Sequence, residues 1–159
     1  MSVDIGPAAR DELDTIADLW VTLAAEQRRH GSHLHSAANR ETARESLARH
    51  LVVGGLAVAR DDGIVGFVSY EREMAGYDRS SDRGVVHNLY VVPYRRNEGI
   101  GSRLLDAAES DLADSGVDRV SLEALAANEA GRRFYERHGY RPHRVELEKR
   151  VETDTKERG

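Results

Sequence analysis

The chain contains no cysteine among its 159 residues, which excludes disulfides, thiolate metal sites and covalent chemistry through a cysteine nucleophile. Lysine is nearly absent as well. Only two of the 23 basic residues, Lys149 and Lys156, are lysines, and the arginines that make up the rest are interleaved with Asp and Glu instead of forming a block. At a net charge of -5, non-specific nucleic-acid binding is not expected, because it needs a positive surface to displace counterions from phosphates. No apolar run reaches spanning length and no signal-peptide pattern opens the chain, so the expectation is a soluble, cytoplasmic protein without membrane contact. Repeats and Pro/Gly/Ser-rich linkers are missing too. A hydrophobic content of 40% then predicts one domain over 1–151, followed by a disordered tail over 152–159, where apolar side chains run out.

What is present reads as alternating short strands and amphipathic helices. Val3 and Ile5 alternate ahead of Pro7, and Leu13, Ile16, Ala17, Trp20, Leu23 and Ala24 recur at three- and four-residue steps, which predicts a strand and then a helix from Asp11 to Arg29. Three histidines follow in the loop His30-Gly31-Ser32-His33-Leu34-His35. No carboxylate is interleaved there at a helical i, i+4 spacing, so no metal site is expected and a solvated loop or substrate-side rim is. Ser36 is placed to cap a second helix ending near His50. Leu56 and Val58, and then Ile64, Phe67, Val68 and Tyr70, form two β-type runs separated by Arg60-Asp61-Asp62-Gly63, a hairpin signal because the turn needs positive φ at its central residues.

Gly84 to Val92 is apolar on both sides and reads as a central strand, interrupted by His87 and Asn88. A polar residue on each face of such a strand must find a partner or water, so either both are satisfied core groups or the sheet opens there. A third helix follows, then a fifth strand from Arg119 to Ala124 whose polar face carries Glu123. Asn128 caps a fourth helix closed by Gly139, and Tyr140, Val145, Leu147 and Val151 suggest one or two closing strands broken at Pro142. The fold expected is α/β (α+β): a single mixed, mostly antiparallel sheet of six to seven strands with about four helices.

The strand-to-helix junction Val91-Val92-Pro93-Tyr94-Arg95-Arg96-Asn97-Glu98-Gly99-Ile100-Gly101 is the strongest chemical signal. Two glycines at a helix N-terminus expose backbone N–H groups where the helix dipole favours an anion. Read alone, they could equally just make room for a tight connection. A P-loop would need Lys-Ser or Lys-Thr after Gly101, and a dinucleotide fingerprint would need Gly at Leu104.

Taken together, Arg96-x-x-Gly99-x-Gly101 after Leu89-Tyr90-Val91-Val92-Pro93, and Asn128-Glu129-Ala130-x-x-x-Phe134-Tyr135-Glu136-Arg137-x-Gly139-Tyr140, resemble the two signature motifs of the GNAT superfamily of GCN5-related N-acetyltransferases. The resemblance implies the acyl-CoA N-acyltransferase fold, with the sheet splayed between strands 4 and 5. It implies acetyl-CoA as co-substrate, its pyrophosphate on the amides of Arg96, Asn97, Glu98, Gly99, Ile100, Gly101 and Ser102. Its pantetheine arm would pair with Leu89, Tyr90 and Val91, near Asn128. It also implies a primary amine as acceptor, with relatives that commonly form homodimers.

An ammonium is no nucleophile, and with an ordinary alkylamine pKa near 10.4 only about one amine in a thousand is neutral at pH 7, so a base or water chain must take a proton. The resemblance offers Glu123 and His87 as that base and Tyr135 as the acid for the CoA thiolate. The acceptor is expected to be chosen by the loops His30 to Ser36 and Met74 to Arg83. A small-molecule amine acetyltransferase is the leading reading. A protein N-terminal acetyltransferase and a non-catalytic CoA-binding sensor are the alternatives.

Overall fold

The computed structural model describes residues 2–73 and 82–152. Five strands, β1 (Asp4–Pro7), β2 (Leu56–Arg60), β3 (Ile64–Arg72), β4 (Arg83–Val91) and β5 (Arg119–Leu122), form one sheet in that order. The first three pairings are antiparallel and β4 pairs β5 in parallel, so the sheet is mixed, as expected. Four helices, α1 (Leu13–Arg29), α2 (Arg40–Val52), α3 (Ile100–Asp114) and α4 (Glu129–Arg137), complete the regular structure.

The local reasons are those the sequence carries. In the β2–β3 turn Asp62 and Gly63 take φ of 55° and 111°, the left-handed backbone that suits Asp and Gly. The stripes of α1 and α3 are buried, with Ile16, Ala17, Leu104, Leu105 and Ala108 wholly inaccessible. They pack with Val58, Phe67 and Val68 of the central strands into one core. Burying side chains of this size stabilises the fold by about 1.5–3 kcal/mol each relative to exposure. Asn128 caps α4, its Oδ1 accepting from the Gly131 N–H at 3.1 Å. Ser36, by contrast, forms no side-chain cap; a 3₁₀ turn over Ala37–Asn39 leads into α2 instead.

Two further expectations are corrected. The closing strands do not form: 140–152 has no regular structure, and Val145, Leu147 and Val151 are 74%, 88% and 72% exposed. Their alternation is that of a strand, but Pro142 removes a ladder donor, and the described sheet ends at β5. Six to seven strands therefore become five. Glu123 is the second correction. The fifth strand stops at Leu122, so Glu123 lies just outside it, exposed. The tail over 153–159 lies outside the described residues.

Candidate active site

The junction after β4 is built as an anion cradle. Pro93–Arg95 forms a 3₁₀ turn, Asn97 and Gly99 take φ of 65° and 85°, and α3 starts at Ile100. The first backbone bond into the helix runs from the Arg103 N–H to the Gly99 carbonyl at 3.1 Å. None of the six successive N–H groups from Asn97 to Ser102 therefore makes a well-formed hydrogen bond among the described residues. Free donors at a helix N-terminus, with its positive dipole end, bind anions well. An ideal Cβ on Gly101 would make ordinary contact with Phe134 at 3.5 Å and Val91 at 3.7 Å. That site has room for one methyl group, whereas at Gly99 the positive φ itself calls for glycine.

The side chains around the cradle are engaged elsewhere. Arg96 donates from Nε to the Val91 carbonyl at 2.8 Å and from its NH2 nitrogen to both Glu26 carboxylate oxygens at 3.1 Å. Its guanidinium also lies 5.4 Å from the centroid of the buried Tyr90 ring. Arg95 pairs with Glu98 and Asp61, each at 3.1 Å. The Ser102 hydroxyl meets Nε2 of His138, the residue that ends α4, at 2.9 Å. Arg96, Glu98 and Ser102 thus shape the loop with their side chains and leave its amides to face a ligand.

Beside the cradle the sheet opens. β5 follows β4 only from Arg83↔Arg119 to Val86↔Leu122, so residues 87–91, Leu89, Tyr90 and Val91 among them, have no strand partner on that side among the described residues. On the other side the β3 register shifts by one between Ser69↔Asn88 and Tyr70↔Val86, which leaves His87 as an unpaired bulge residue. A bulge re-aims a side chain and sharpens the local twist. Both readings of the polar interruption therefore hold at once. Asn88 donates to the fully buried Ser69 hydroxyl at 2.9 Å, and His87 Nε2 meets Glu71 Oε2 at 2.7 Å, where the sheet parts. A carboxylate only accepts, so His87 donates from Nε2, and the neutral imidazole has its lone pair on Nδ1.

His50, from the last turn of α2, completes this corner. It is 8% exposed, its ring centroid lies 5.2 Å from that of His87, and its Nε2 is 3.7 Å from Glu71 Oε2. Ser46, Arg49, His50, Val53, Glu71, His87 and Asn88 line an open cavity of about 630 Å³. Sequence reasoning found His87 and Asn88 here but not Glu71 or His50. A carboxylate late in a strand and a histidine late in a helix carry no local signal. Glu26 was also missed, although it stands three residues after Leu23, where the apolar stripe of α1 would continue.

The other expected site residues divide. Tyr135 is half-buried against the core, in ring contact with Phe134 and Tyr140 at 5.3 and 6.0 Å. Its hydroxyl has no hydrogen-bond partner among the described residues, and burial raises its pKa above that of a free phenol. It therefore keeps its proton at neutral pH. Glu123 makes no hydrogen bond or ion pair among the described residues and is not joined to His87. Asn128 is occupied as the α4 cap. Of the two expected acceptor loops, His30 to Ser36 is described, with His33 paired to Glu148 at 3.1 Å. Met74 to Arg83 lies outside the described residues except for Asp82 and Arg83.

A family model described as the acetyltransferase (GNAT) family matches residues 13–140. The uncharacterized N-acetyltransferase YhfO of Bacillus subtilis (strain 168) is 36% identical over 56 residues, which span 35% of this chain and 38% of that protein. The chain thus matches well under half the length of that relative. Among solved structures, a GCN5-related N-acetyltransferase from Ralstonia eutropha JMP134 superposes with a TM-score of 0.76 at 25% identity, covering 94% of this chain and 99% of the other. The aminoglycoside N-acetyltransferase AAC(6')-Iy, solved with the bisubstrate analog CoA-S-monomethyl-acetylneamine, superposes at 0.67 and 18% identity, over 95% and 99% of the two chains. At that identity the likeness is one of fold. No helix among the described residues is long and apolar enough to cross a membrane.

Proposed function

The chain belongs to the acetyltransferase (GNAT) family, and from that premise we propose that it transfers the acetyl group of acetyl-CoA directly to the primary amine of a small molecule within a ternary complex. The observation that carries this reading is the run of six unsatisfied amides, Asn97 to Ser102, at the N-terminus of α3, next to the half of β4 that has lost its β5 partner. A diphosphate suits the first feature and an extended amide-bearing arm suits the second. A structural neighbour of the same fold was solved with a CoA bisubstrate analogue, which supports the donor without naming the acceptor here.

In this reading the amides of Asn97 to Ser102 hold the pyrophosphate, and the free side of Leu89 to Val91 pairs with the pantetheine. A backbone N–H on that side polarises the thioester carbonyl. His87 is the base. Its Nε2–H is held by Glu71, which leaves Nδ1 to take the ammonium proton, in the way a carboxylate fixes the tautomer of a catalytic imidazole. Glu71 is then a positioning residue. Glu123 is the weaker candidate because no hydrogen bond among the described residues orients it; only the charge of Arg83 acts on it. Tyr135 stays protonated through burial and donates to the departing thiolate. The cavity beside His87 has the volume of a small-ligand site.

A panel of polyamines, aminoglycosides, arylalkylamines and peptides, assayed for release of the CoA thiol, tests the reading. Turnover of one small-amine class supports it. Turnover confined to peptides would replace it with a protein N-terminal acetyltransferase, and acetyl-CoA binding without release on any acceptor would replace it with a CoA sensor.

A further inference from the structure

The corner formed by His50, Glu71 and His87 holds more than a base and its orienting carboxylate. His50 Nδ1 lies 2.8 Å from the Ser46 carbonyl, and a carbonyl only accepts, so Nδ1 carries a proton and, in the neutral imidazole, Nε2 carries the lone pair. That Nε2 is buried and has no hydrogen-bond partner, in a residue that is 8% exposed. A buried acceptor without a donor costs about 1–3 kcal/mol, and here Nε2 faces another acceptor, Glu71 Oε2 at 3.7 Å, which already takes the His87 proton. A cation between the imidazole nitrogens and the carboxylate would satisfy all three.

We propose that His50, Glu71 and His87 form a binding site for a divalent transition-metal cation of the zinc type. One nitrogen from each imidazole and one carboxylate oxygen all lie within 4.8 Å of one another. Bond lengths of about 2.0–2.2 Å in a tetrahedral zinc site put neighbouring donor atoms about 3.3 Å apart. The present separations of 2.7 Å (His87 to Glu71) and 3.7 Å (His50 to Glu71) bracket that value, and the two imidazoles, within 4.8 Å of each other, must draw together to bring the three donors onto one ion. Two imidazoles and one carboxylate are a donor set that zinc uses with a fourth position open, and imidazole favours zinc over magnesium or calcium.

The supporting shell is partly in place. The Ser46 carbonyl fixes the His50 tautomer, as an outer-shell acceptor does for a metal-bound imidazole. The bulge at position 87 aims that side chain at the other two. Arg49 also lines the cavity, and its charge suits an anion or water, not a second cation, in the open position. The site is distinct from the histidine loop His30–His35, whose His33 is exposed and paired with Glu148.

Binding does not depend on the acetyltransferase reading; one consequence does. A cation on His87 Nε2 displaces that proton to Nδ1, so an occupied site cannot use His87 as base, and Zn²⁺ is expected to inhibit turnover.

The test is competition between the metal-free protein and a chromophoric chelator for Zn²⁺, with the visible d–d spectrum of the Co²⁺ form as a second readout. Expected are one tight Zn²⁺ per chain, intense tetrahedral-type Co²⁺ bands, and at least 100-fold weaker binding in His50→Phe, which keeps the ring and removes the nitrogen donors. Glu71→Gln should weaken binding at least tenfold, and His33→Ala should change it less than threefold. If His50→Phe does not fold, His87→Ala, on the open bulge, serves with the same expected loss. The proposal is overturned if no stoichiometric Zn²⁺ binds, or if binding survives in His50→Phe or His87→Ala and is lost in His33→Ala. Zn²⁺ inhibition, read relative to each variant's own metal-free turnover, should be lost in His50→Phe; inhibition that persists at the wild-type Zn²⁺ concentration would overturn the link between site and activity.

Discussion

The two ends of the opening in the sheet are made in opposite ways. At the α3 end the chemistry is backbone: six free N–H groups fixed by Asn97 and Gly99 in left-handed conformations, with nearby side chains tied back to Glu26, Val91 and His138. At the α2 end it is side chain: His50, Glu71 and His87, one from a helix and two from strands, meeting at a bulge. A backbone site is specified by conformation and is nearly indifferent to its side chains. A side-chain site is specified by identity and depends on tertiary packing. Substitutions at the first should therefore change donor binding, and substitutions at the second should change turnover.

The largest effect belongs to the proton transfers. Tyr135→Phe is expected to lower kcat by roughly 10²–10³-fold, in the range of general acid catalysis, with acetyl-CoA affinity unchanged in a binding titration; unaltered kcat would remove Tyr135 from the mechanism. His87→Ala should cost about 10²-fold in kcat and Glu123→Gln little. The reverse order would return the base to Glu123. At the other end, Gly99→Val forces a β-branched residue into positive φ, and acetyl-CoA should bind about 10–100-fold more weakly, while Gly101→Ala, with ordinary contacts waiting for its methyl, should bind within a few fold of wild type. Equal losses at both glycines would mean that space, not conformation, makes the cradle.

The smallest effect lies outside both regions and serves as a control for fold. Arg60 donates to both Glu12 oxygens at 2.8 and 2.7 Å, and that hydrogen bonding holds the Glu12 pKa below the ordinary carboxylate range. A lowered carboxylate pKa adds stability above its unfolded value that is lost as pH falls through the folded value. Glu12→Gln should therefore cost about 1–2 kcal/mol at neutral pH, read by chemical denaturation, and the difference from wild type should vanish in acid. Neither kcat nor acetyl-CoA affinity should move.

The same contrast explains what could be read from the sequence. Gly99, Gly101 and Pro93 mark the cradle because a left-handed residue and a helix start are local events, and the capping role of Asn128 is local too. Four helices and the five strands, as a succession along the chain, follow from periodicity for the same reason. The metal-type corner was illegible, because only the β3–β4 register and the packing of α2 bring Glu71 and His50 to His87. Glu123 was misplaced since alternation runs on to Ala124 while the pairing with β4 ends at Leu122. Residues 140–152 mislead in the same sense: Val145 and Leu147 have the period of a strand, but a strand exists only where another offers it a ladder.

The most direct test of the central claim is an acetyl-CoA titration of ¹⁵N-labelled protein followed by amide chemical shifts. The backbone amides of Asn97 to Ser102 should show the largest changes, saturating together with those of Leu89 to Val91, and inorganic pyrophosphate should move the first group alone. Acetyl-CoA binding that leaves Asn97 to Ser102 unmoved would contradict the cradle.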